Sequence, residues 1–174
     1  MVNEMLTIQC TKKLINELKI DLSNQEPIDS VPLYSWHSHL FVFNRKKCVI
    51  VMNNLTRYNF ILTGLKKAEF IKYDQIVAAA ITENLLAEGA SENTVDNYMK
   101  HCSSAIYRTA SDRSIISQMN EMIMAAELWM SKDKYNGIET NIPKLNRRLN
   151  HFVMLKLPKC YSGETVLEEL ERVE

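Results

Sequence analysis

Two histidines one residue apart, His37 and His39, are the sharpest candidate for chemistry in this 174-residue chain. Alternate side chains of a β-strand point to the same face, so the two imidazoles would lie together and could chelate a transition metal. Zinc would need a third or fourth ligand. His101, Cys102, Cys48 or a carboxylate could provide one, but no regular spacing connects them to the pair. We therefore expect no bound metal and no cofactor, only histidines bonded to neighbouring polar groups.

A second candidate is a set of basic residues that the pattern places on turns and at one edge of a sheet. The set comprises Arg45, Lys46, Lys47, Arg57, Lys66, Lys67 and Lys72. With Tyr58 and Phe60 nearby, these cations could hold a nucleic-acid backbone while the rings stack on bases. The alternative is a set of solvated turns, in which edge lysines discourage sheet-to-sheet aggregation. We favour the alternative, which makes nucleic acid the less favoured partner.

The third candidate is a polar stripe formed by Arg113, Ser117 and Asn120, whose spacing places them on one side of a helix. Arg113 lies near the start of that helix, where free backbone N–H groups attract anions. The stripe could bind an anion, or it could be a solvated face with Arg113 paired to a carboxylate. We favour the second interpretation.

No catalytic pattern accompanies these candidates. The sequence lacks a nucleophile elbow, a phosphate-binding glycine loop and an HExxH motif, and its four glycines are scattered. We therefore expect a non-catalytic binding or regulatory module of unknown ligand. The alternative is an enzyme that acts on a nucleic acid or a phosphorylated ligand through His37, His39, Arg45 and Arg113. Whether any catalysis occurs stays open at this point.

Length, charge and cysteine usage narrow the class of protein. The 21 basic and 21 acidic residues cancel, which argues against a strong non-specific nucleic-acid binder. The charge is segregated, because residues 73–139 hold five basic and ten acidic residues whereas residues 140–163 hold five basic ones and no acidic one. The four cysteines are far apart, no apolar run could span a bilayer, and the N-terminus lacks a signal-peptide pattern. We expect a cytoplasmic protein with reduced thiols and no membrane contact.

The first half of the chain is patterned for a sheet. Alternation predicts a strand at Met5–Cys10, and Thr11 caps a short helix that precedes a loop at residues 21–35. Three strand-like runs follow, at Trp36–Phe43, Lys47–Asn53 and Thr56–Thr63. The short polar turns between them predict antiparallel neighbours, so the three runs form a meander.

The second half is mainly helical. One apolar stripe of helical period ends before Gly89, and Ser91 caps the next helix. Residues 109–130 predict a long helix that Ser111 or Asp112 caps. The remaining elements are a short segment that could add a strand (Ser104–Arg108), a short helix from Pro143, a strand (Phe152–Leu157) and an acidic helix (Thr165–Arg172).

Together these elements predict an α+β fold, in which helices pack on a small, mostly antiparallel sheet built from the meander and the N-terminal strand. We expect a single domain over residues 1–174, with a core at 5–130 and a C-terminal extension with short helices at 131–174. The run Trp36–Phe43 is apolar on both faces and therefore needs two covers. The helices would cover one face of this strand. Either residues 142–160 or a second subunit would cover the other face. We expect a dimer, and a different protein partner also fits the pattern.

Several short motifs carry a family resemblance. They are Cys10-Thr-Lys-Lys-Leu14, Trp36-His-Ser-His-Leu40, Asn44-Arg-Lys-Lys-Cys48, Met52 through Tyr58, Gly64-Leu-Lys-Lys67 and Thr109 through Asn120. Their order and spacing resemble an uncharacterised bacterial family known only as a domain of unknown function, over residues 5–130. His39 stands where members commonly have Asn, a poor zinc ligand, and Lys46 stands where they have Arg. The resemblance implies a compact, soluble bacterial α+β domain and no particular activity, substrate or cofactor.

Overall fold

A computed structural model describes residues 5–173, which form a five-stranded sheet covered by helices on both faces. The strands are β1 (Leu6–Cys10), β2 (Ser35–Phe43), β3 (Lys46–Asn53), β4 (Asn59–Thr63) and β5 (Ala105–Thr109). The α-helices are α1 (Lys12–Leu18), α2 (Lys67–Ile71), α3 (Tyr73–Glu88), α4 (Glu92–Lys100), α5 (Arg113–Tyr135), α6 (Ile142–Leu149) and α7 (Ser162–Glu171). A short 3-10 turn, Pro32–Tyr34, leads into β2.

The α+β class is confirmed, but the sheet differs from the predicted one. Its strand order is β4-β3-β2-β1-β5, and β2, β3 and β4 form the expected antiparallel meander. β1 pairs in parallel with both β2 and β5. The sheet is therefore mixed rather than mostly antiparallel, and it has five strands rather than four. The physical reason is that helices connect β1 to β2 and lead into β5, so the chain returns to the same end before each parallel strand begins.

The predicted strand at Phe152–Leu157 is wrong. Val153 makes an isolated antiparallel bridge with Tyr161, and turns occupy most of the segment between them. Backbone bonds from Met154 N to Cys160 O, and from Leu157 N to Met154 O, close these turns locally. A segment that satisfies its own backbone groups in this way does not pair with the sheet.

We call the sheet side that packs on α1, α3, α4 and α7 the first face. Side chains of β1, β2, β3 and β4 contribute to its core, among them Leu6, Ile8, Trp36, Leu40, Val49, Val51 and Phe60. The buried polar groups of this face pair with one another. The Trp36 indole N–H donates to the Tyr98 hydroxyl at 3.0 Å, and the hydroxyls of Ser38 and Tyr73 lie 2.8 Å apart.

The opposite side, the second face, packs on α5 and α6. Its apolar core contains Phe41, Cys48, Ile50, Met52 and Ile61. The predicted apolar stripe of α5 is confirmed, since Ile115, Met119, Met122, Ile123, Ala126 and Met130 are all buried there. The Asp112 carboxylate caps α5 by accepting from the backbone N–H groups of Ser114 and Ile115.

Two asparagines, Asn146 of α6 and Asn150 directly after it, complete the free edge of β4. Asn150 accepts from the Asn59 backbone N–H and donates to its carbonyl, at 2.9 and 2.7 Å. Asn146, one helical turn earlier, does the same with Ile61, at 2.8 and 3.3 Å. Each side-chain amide thus offers the donor and the acceptor that a neighbouring strand would have offered. Residues beyond 130 are in this way bonded directly to the sheet.

Both faces of β2 are covered within one chain from Ser35 to Phe41, whereas Val42 at the hairpin end is 51% exposed. Leu40 and Trp36 point into the first-face core, and Phe41 packs in the second-face core beneath α5. The apolar pattern of β2 from Trp36 to Phe41 is therefore explained without a second subunit. The expectation of a dimer stays a prediction and now needs a different surface to support it.

Candidate functional site

The polar residues of the second face lie where the apolar core ends, around His37. The His37 ring is fully buried, and its Nδ1–H donates to the Asn54 side-chain oxygen at 2.8 Å. The Asn54 side-chain N–H in turn donates to Oε1 of Gln9 at 2.5 Å. Gln9 is the direct neighbour of His37 on β1. A continuous chain of hydrogen bonds therefore runs from His37 through Asn54 to Gln9.

Arg57, in the turn between β3 and β4, holds this series of hydrogen bonds in place. Its guanidinium donates to the backbone oxygen of Asn54, and its Nε–H donates to Oε1 of Gln118 on α5 at 2.6 Å. Arg57 adopts a φ of 61°, a left-handed conformation that bulky residues seldom take. The side chain thus bridges the turn and α5, and it fixes the position of Asn54.

The second ring nitrogen of His37, Nε2, is buried and has no hydrogen-bond partner among the described residues. Burial is the main cause that lowers the pKa of His37, although the Asn54 bond and the Asp112 charge act in the opposite direction. Because Nδ1 carries the proton in the neutral ring, Nε2 is a free acceptor. It is covered by protein and does not face solvent.

His39 lies apart from this network. Its Nδ1 is 2.8 Å from the hydroxyl of Thr11, at the start of α1. Burial, followed by the charge of Lys13, lowers the pKa of His39. Within residues 5–173 no three histidine, cysteine or acidic side chains cluster as metal ligands would. The two histidines share a strand face, yet each bonds to a different polar neighbour.

Arg45 lies at the other end of the β2–β3 hairpin. It forms a two-residue turn with Asn44, and both have positive φ, at 62° and 47°, as a tight type I′ hairpin turn requires. β3 has eight residues and so separates the two ends of the hairpin by roughly 25 Å. His37 and Arg45 therefore belong to different sites.

Arg45 lines a wide groove of about 910 Å³ that we call the basic groove. Its cations come from three segments of the chain: Lys19 after α1, Arg45, Lys46 and Lys47 in the hairpin, and Lys66 and Lys67 at the start of α2. Among its described lining residues Glu17 is the one carboxylate, and it pairs with Lys47 at 2.6 Å. Leu18, Leu65 and Ile71 add apolar surface. Most of the predicted basic set thus converges on one concave surface, without Arg57 and Lys72.

Arg113, Ser117 and Asn120 are exposed on the outer side of α5. None of their side chains makes a hydrogen bond or ion pair with another described residue. They share a helix side, as predicted, but they do not join the groove or the His37 network.

Sequence reasoning missed the residues that connect the network, namely Gln9, Asn54 and Gln118. Each is a side-chain amide without a motif. The available signal was the alternation of β1, in which Thr7 and Gln9 oppose the apolar Leu6 and Ile8. Two inward-facing polar positions on an inner strand indicate a polar partner above them.

None of the helices in residues 5–173 has both the length and the apolar character needed to cross a bilayer.

Comparison with known proteins adds a family and nothing more specific. No curated protein and no solved structure matches the chain. The model of one family, described as "Domain of unknown function (DUF6933)", matches residues 7–163. The match extends beyond residue 130 and includes α6, whose asparagines complete the sheet. The chain therefore belongs to the DUF6933 family of domains of unknown function.

Proposed function

We propose that this protein is a non-catalytic binding module whose basic groove recognises the phosphate backbone of single-stranded nucleic acid. The observation that carries the proposal is the groove itself, where six cations surround one carboxylate that is already paired. Such a concentration of positive charge attracts a polyanion and releases its counterions. The protein as a whole has zero net charge, so this attraction is local to the groove.

The shape of the groove supports a flexible strand rather than a duplex. The cations project from two turns and a helix start that surround a concave surface. Leu18, Leu65 and the highly exposed Ile71 provide apolar surface on which the face of an unpaired base can rest. Lysines predominate, and they hold phosphates as point charges without demanding one geometry. This combination suits binding with little sequence preference.

The positions of the candidate residues argue against the enzyme alternative. Nε2 of His37, which a general base would use, is buried under protein, and His39 bonds to Thr11 outside the His37 network. Arg45 lies at the far end of the hairpin, and Arg113 is exposed on α5 without contact to either. General acid–base catalysis needs such groups within hydrogen-bond reach of one substrate. A binding role needs only the groove.

Fluorescence anisotropy with a labelled oligonucleotide of mixed sequence tests the proposal, with polyglutamate as a competitor of similar charge. We expect the triple variant Arg45→Ala, Lys46→Ala, Lys67→Ala to weaken binding at least tenfold and to lower the salt slope by about 2, close to 0.7 per lost phosphate contact. The matched control replaces three exposed lysines elsewhere, Lys100, Lys144 and Lys156. Equal loss in the control, or stronger competition by polyglutamate than by unlabelled oligonucleotide, would overturn the proposal.

A further inference from the structure

A second, smaller pocket lies on the second face, at the edge that α5 and α6 leave uncovered. It has a volume of about 370 Å³. Thr7 and Gln9 of β1 and Arg108 of β5 form its polar floor, and the loop that precedes β2 forms its wall. Gln25 in this loop donates to the backbone oxygen of Tyr107 at 2.5 Å, which attaches the wall to β5. The pocket is therefore enclosed by the sheet on one side and an anchored loop on the other.

The floor presents hydrogen-bond donors that have no acceptor. Arg108 is half-buried, and its side chain makes no hydrogen bond or ion pair with another described residue. Gln9 is its direct neighbour in the parallel β1–β5 register. Because Oε1 of Gln9 accepts from Asn54, its side-chain NH₂ group must point away from that bond and has no partner among the described residues. A guanidinium and an amide NH₂ side by side match the two oxygens of a carboxylate.

The wall carries the opposite charge. Glu26 lines the pocket and forms no ion pair with another described residue. Gln25 uses its NH₂ group on Tyr107, so its side-chain oxygen stays free to accept. The described lining therefore holds one cation and one anion, and neither is neutralised by another described residue. A dianionic phosphate would meet the Glu26 carboxylate, whereas a ligand with one negative and one positive group would satisfy both.

From this arrangement we propose that the pocket binds a small zwitterion of amino-acid type. Its carboxylate lies on Arg108 and the Gln9 NH₂ group, and its ammonium group faces Glu26. Ile106 on the floor and the apolar part of the loop leave room for a short side chain. Pockets of this volume lie within the range that small-molecule sites occupy. The site is separate from the basic groove, and neither proposal depends on the other.

The hydrogen-bond chain makes the binding observable at a distance. A carboxylate on Gln9 polarises its amide, and the change passes through Asn54 to the ring of His37. We therefore expect ligand binding to shift the ¹⁵N resonances of the His37 ring as well as those of the Gln9 and Arg108 side chains.

NMR titration of the full chain with glycine, L-serine and L-leucine tests the proposal, with acetate, methylammonium and inorganic phosphate as partial probes. We expect at least one amino acid to shift these signals in a saturable way and to bind at least tenfold more tightly than acetate or methylammonium. Arg108→Gln should weaken that binding tenfold or more, and Arg113→Gln, an exposed arginine outside the pocket, should leave it unchanged.

Three results would overturn the proposal. One is phosphate saturating the site more tightly than any amino acid, and another is amino-acid binding that Arg108→Gln leaves intact. The third is the absence of any saturable shift with all six probes. If Arg108→Gln fails to fold, Glu26→Gln on the exposed wall provides a second test. We expect it to weaken the binding of amino acids more than the binding of acetate.

Discussion

The two faces of the sheet are built differently, although the same strands form both. The first face is apolar from β4 to β1, and its few buried hydroxyl and indole groups bond to one another. The second face is apolar only beneath α5 and α6. Toward β1 and β5 it becomes polar. There it contains a buried ring nitrogen and a pocket with two charged side chains, none of which has a partner within residues 5–173.

The difference between the two faces separates residues that stabilise the fold from residues that can bind a ligand. A face covered completely by its own chain can satisfy every group internally, so its residues are selected by packing. A face covered in part has polar groups at the boundary of the cover, and those that reach the surface are available to a ligand. This contrast predicts that substitutions beneath α5 act on folding, whereas those near Arg108 act on binding.

The largest expected effect comes from the covered part of the second face. Met119 is fully buried on α5 against the sheet. Replacing it with alanine leaves a cavity and should lower the free energy of unfolding by about 2–4 kcal/mol. Met124 lies on the same helix but is 70% exposed, so Met124→Ala is the matched control and should change stability by less than about 0.5 kcal/mol. Chemical denaturation measures both, and equal unfolding midpoints for the two variants would show that α5 does not pack as described.

The next effect concerns the edge of β4. Asn150→Ala removes both bonds to the Asn59 backbone and leaves a buried donor and acceptor unpaired. We expect a loss of about 1–3 kcal/mol in the free energy of unfolding. Asn120→Ala, an exposed asparagine on α5, is the control and should be nearly neutral. A neutral Asn150→Ala would mean that α6 is not what completes the sheet.

These two sites also show what the sequence could predict. The α5 stripe follows from a 3.6-residue period, and the Ser91 and Asp112 caps from local residue types, so both were predictable and are confirmed. Pairing across the sheet is set by contacts between distant residues. The parallel placement of β1, and the strand-like role of Asn146 and Asn150, depend on partners some 30 to 90 residues away. No local pattern contains that information.

The candidate site also has features that the sequence could predict and features that it could not. His37, Arg45 and Arg57 were identifiable as polar residues in or beside apolar strands. The sequence did not reveal which of these residues act together. The hairpin separates Arg45 from the other two, and Asn54 joins His37 to Arg57. Arg108 gave no signal, since a single arginine in a short strand fits a solvated edge equally well.

A smaller effect should appear as a pH dependence of stability. Burial lowers the pKa of His37 in the folded state below its unfolded value of about 6.5. The unfolded chain therefore binds a proton first as the pH falls, so this contribution to stability is present above about pH 6.5 and is lost below it. His37→Gln keeps a donor for Asn54 and cannot titrate. We expect its free energy of unfolding to fall less than that of the wild type between pH 7.5 and 5.5, and identical pH profiles in urea denaturation would contradict the buried, neutral ring.

The smallest effect we expect is self-association through the outer side of α5. Met124, Leu128 and Tyr135 are at least 69% exposed and lie in one line, spaced four and seven residues apart. Glu121 precedes this line by one helical turn and Lys132 lies within it, between Leu128 and Tyr135. Two antiparallel copies of α5 related by a two-fold axis would therefore place Glu121 opposite Lys132 of the partner subunit.

A contact between single helices buries little area, so we propose a weak dimer, in the micromolar range or above. Leu128→Lys places a charge at its centre and should leave only the 20.2 kDa monomer in sedimentation velocity. Ser103→Lys adds the same charge at an exposed position just before β5, outside α5, and it should retain the dimer. Added salt should weaken the dimer partly, because it screens the Glu121–Lys132 pairs and not the apolar contact. A wild-type protein that sediments as a monomer at low salt and high micromolar concentration would show that this helix face is simply solvated, and the second face would then be complete in one chain.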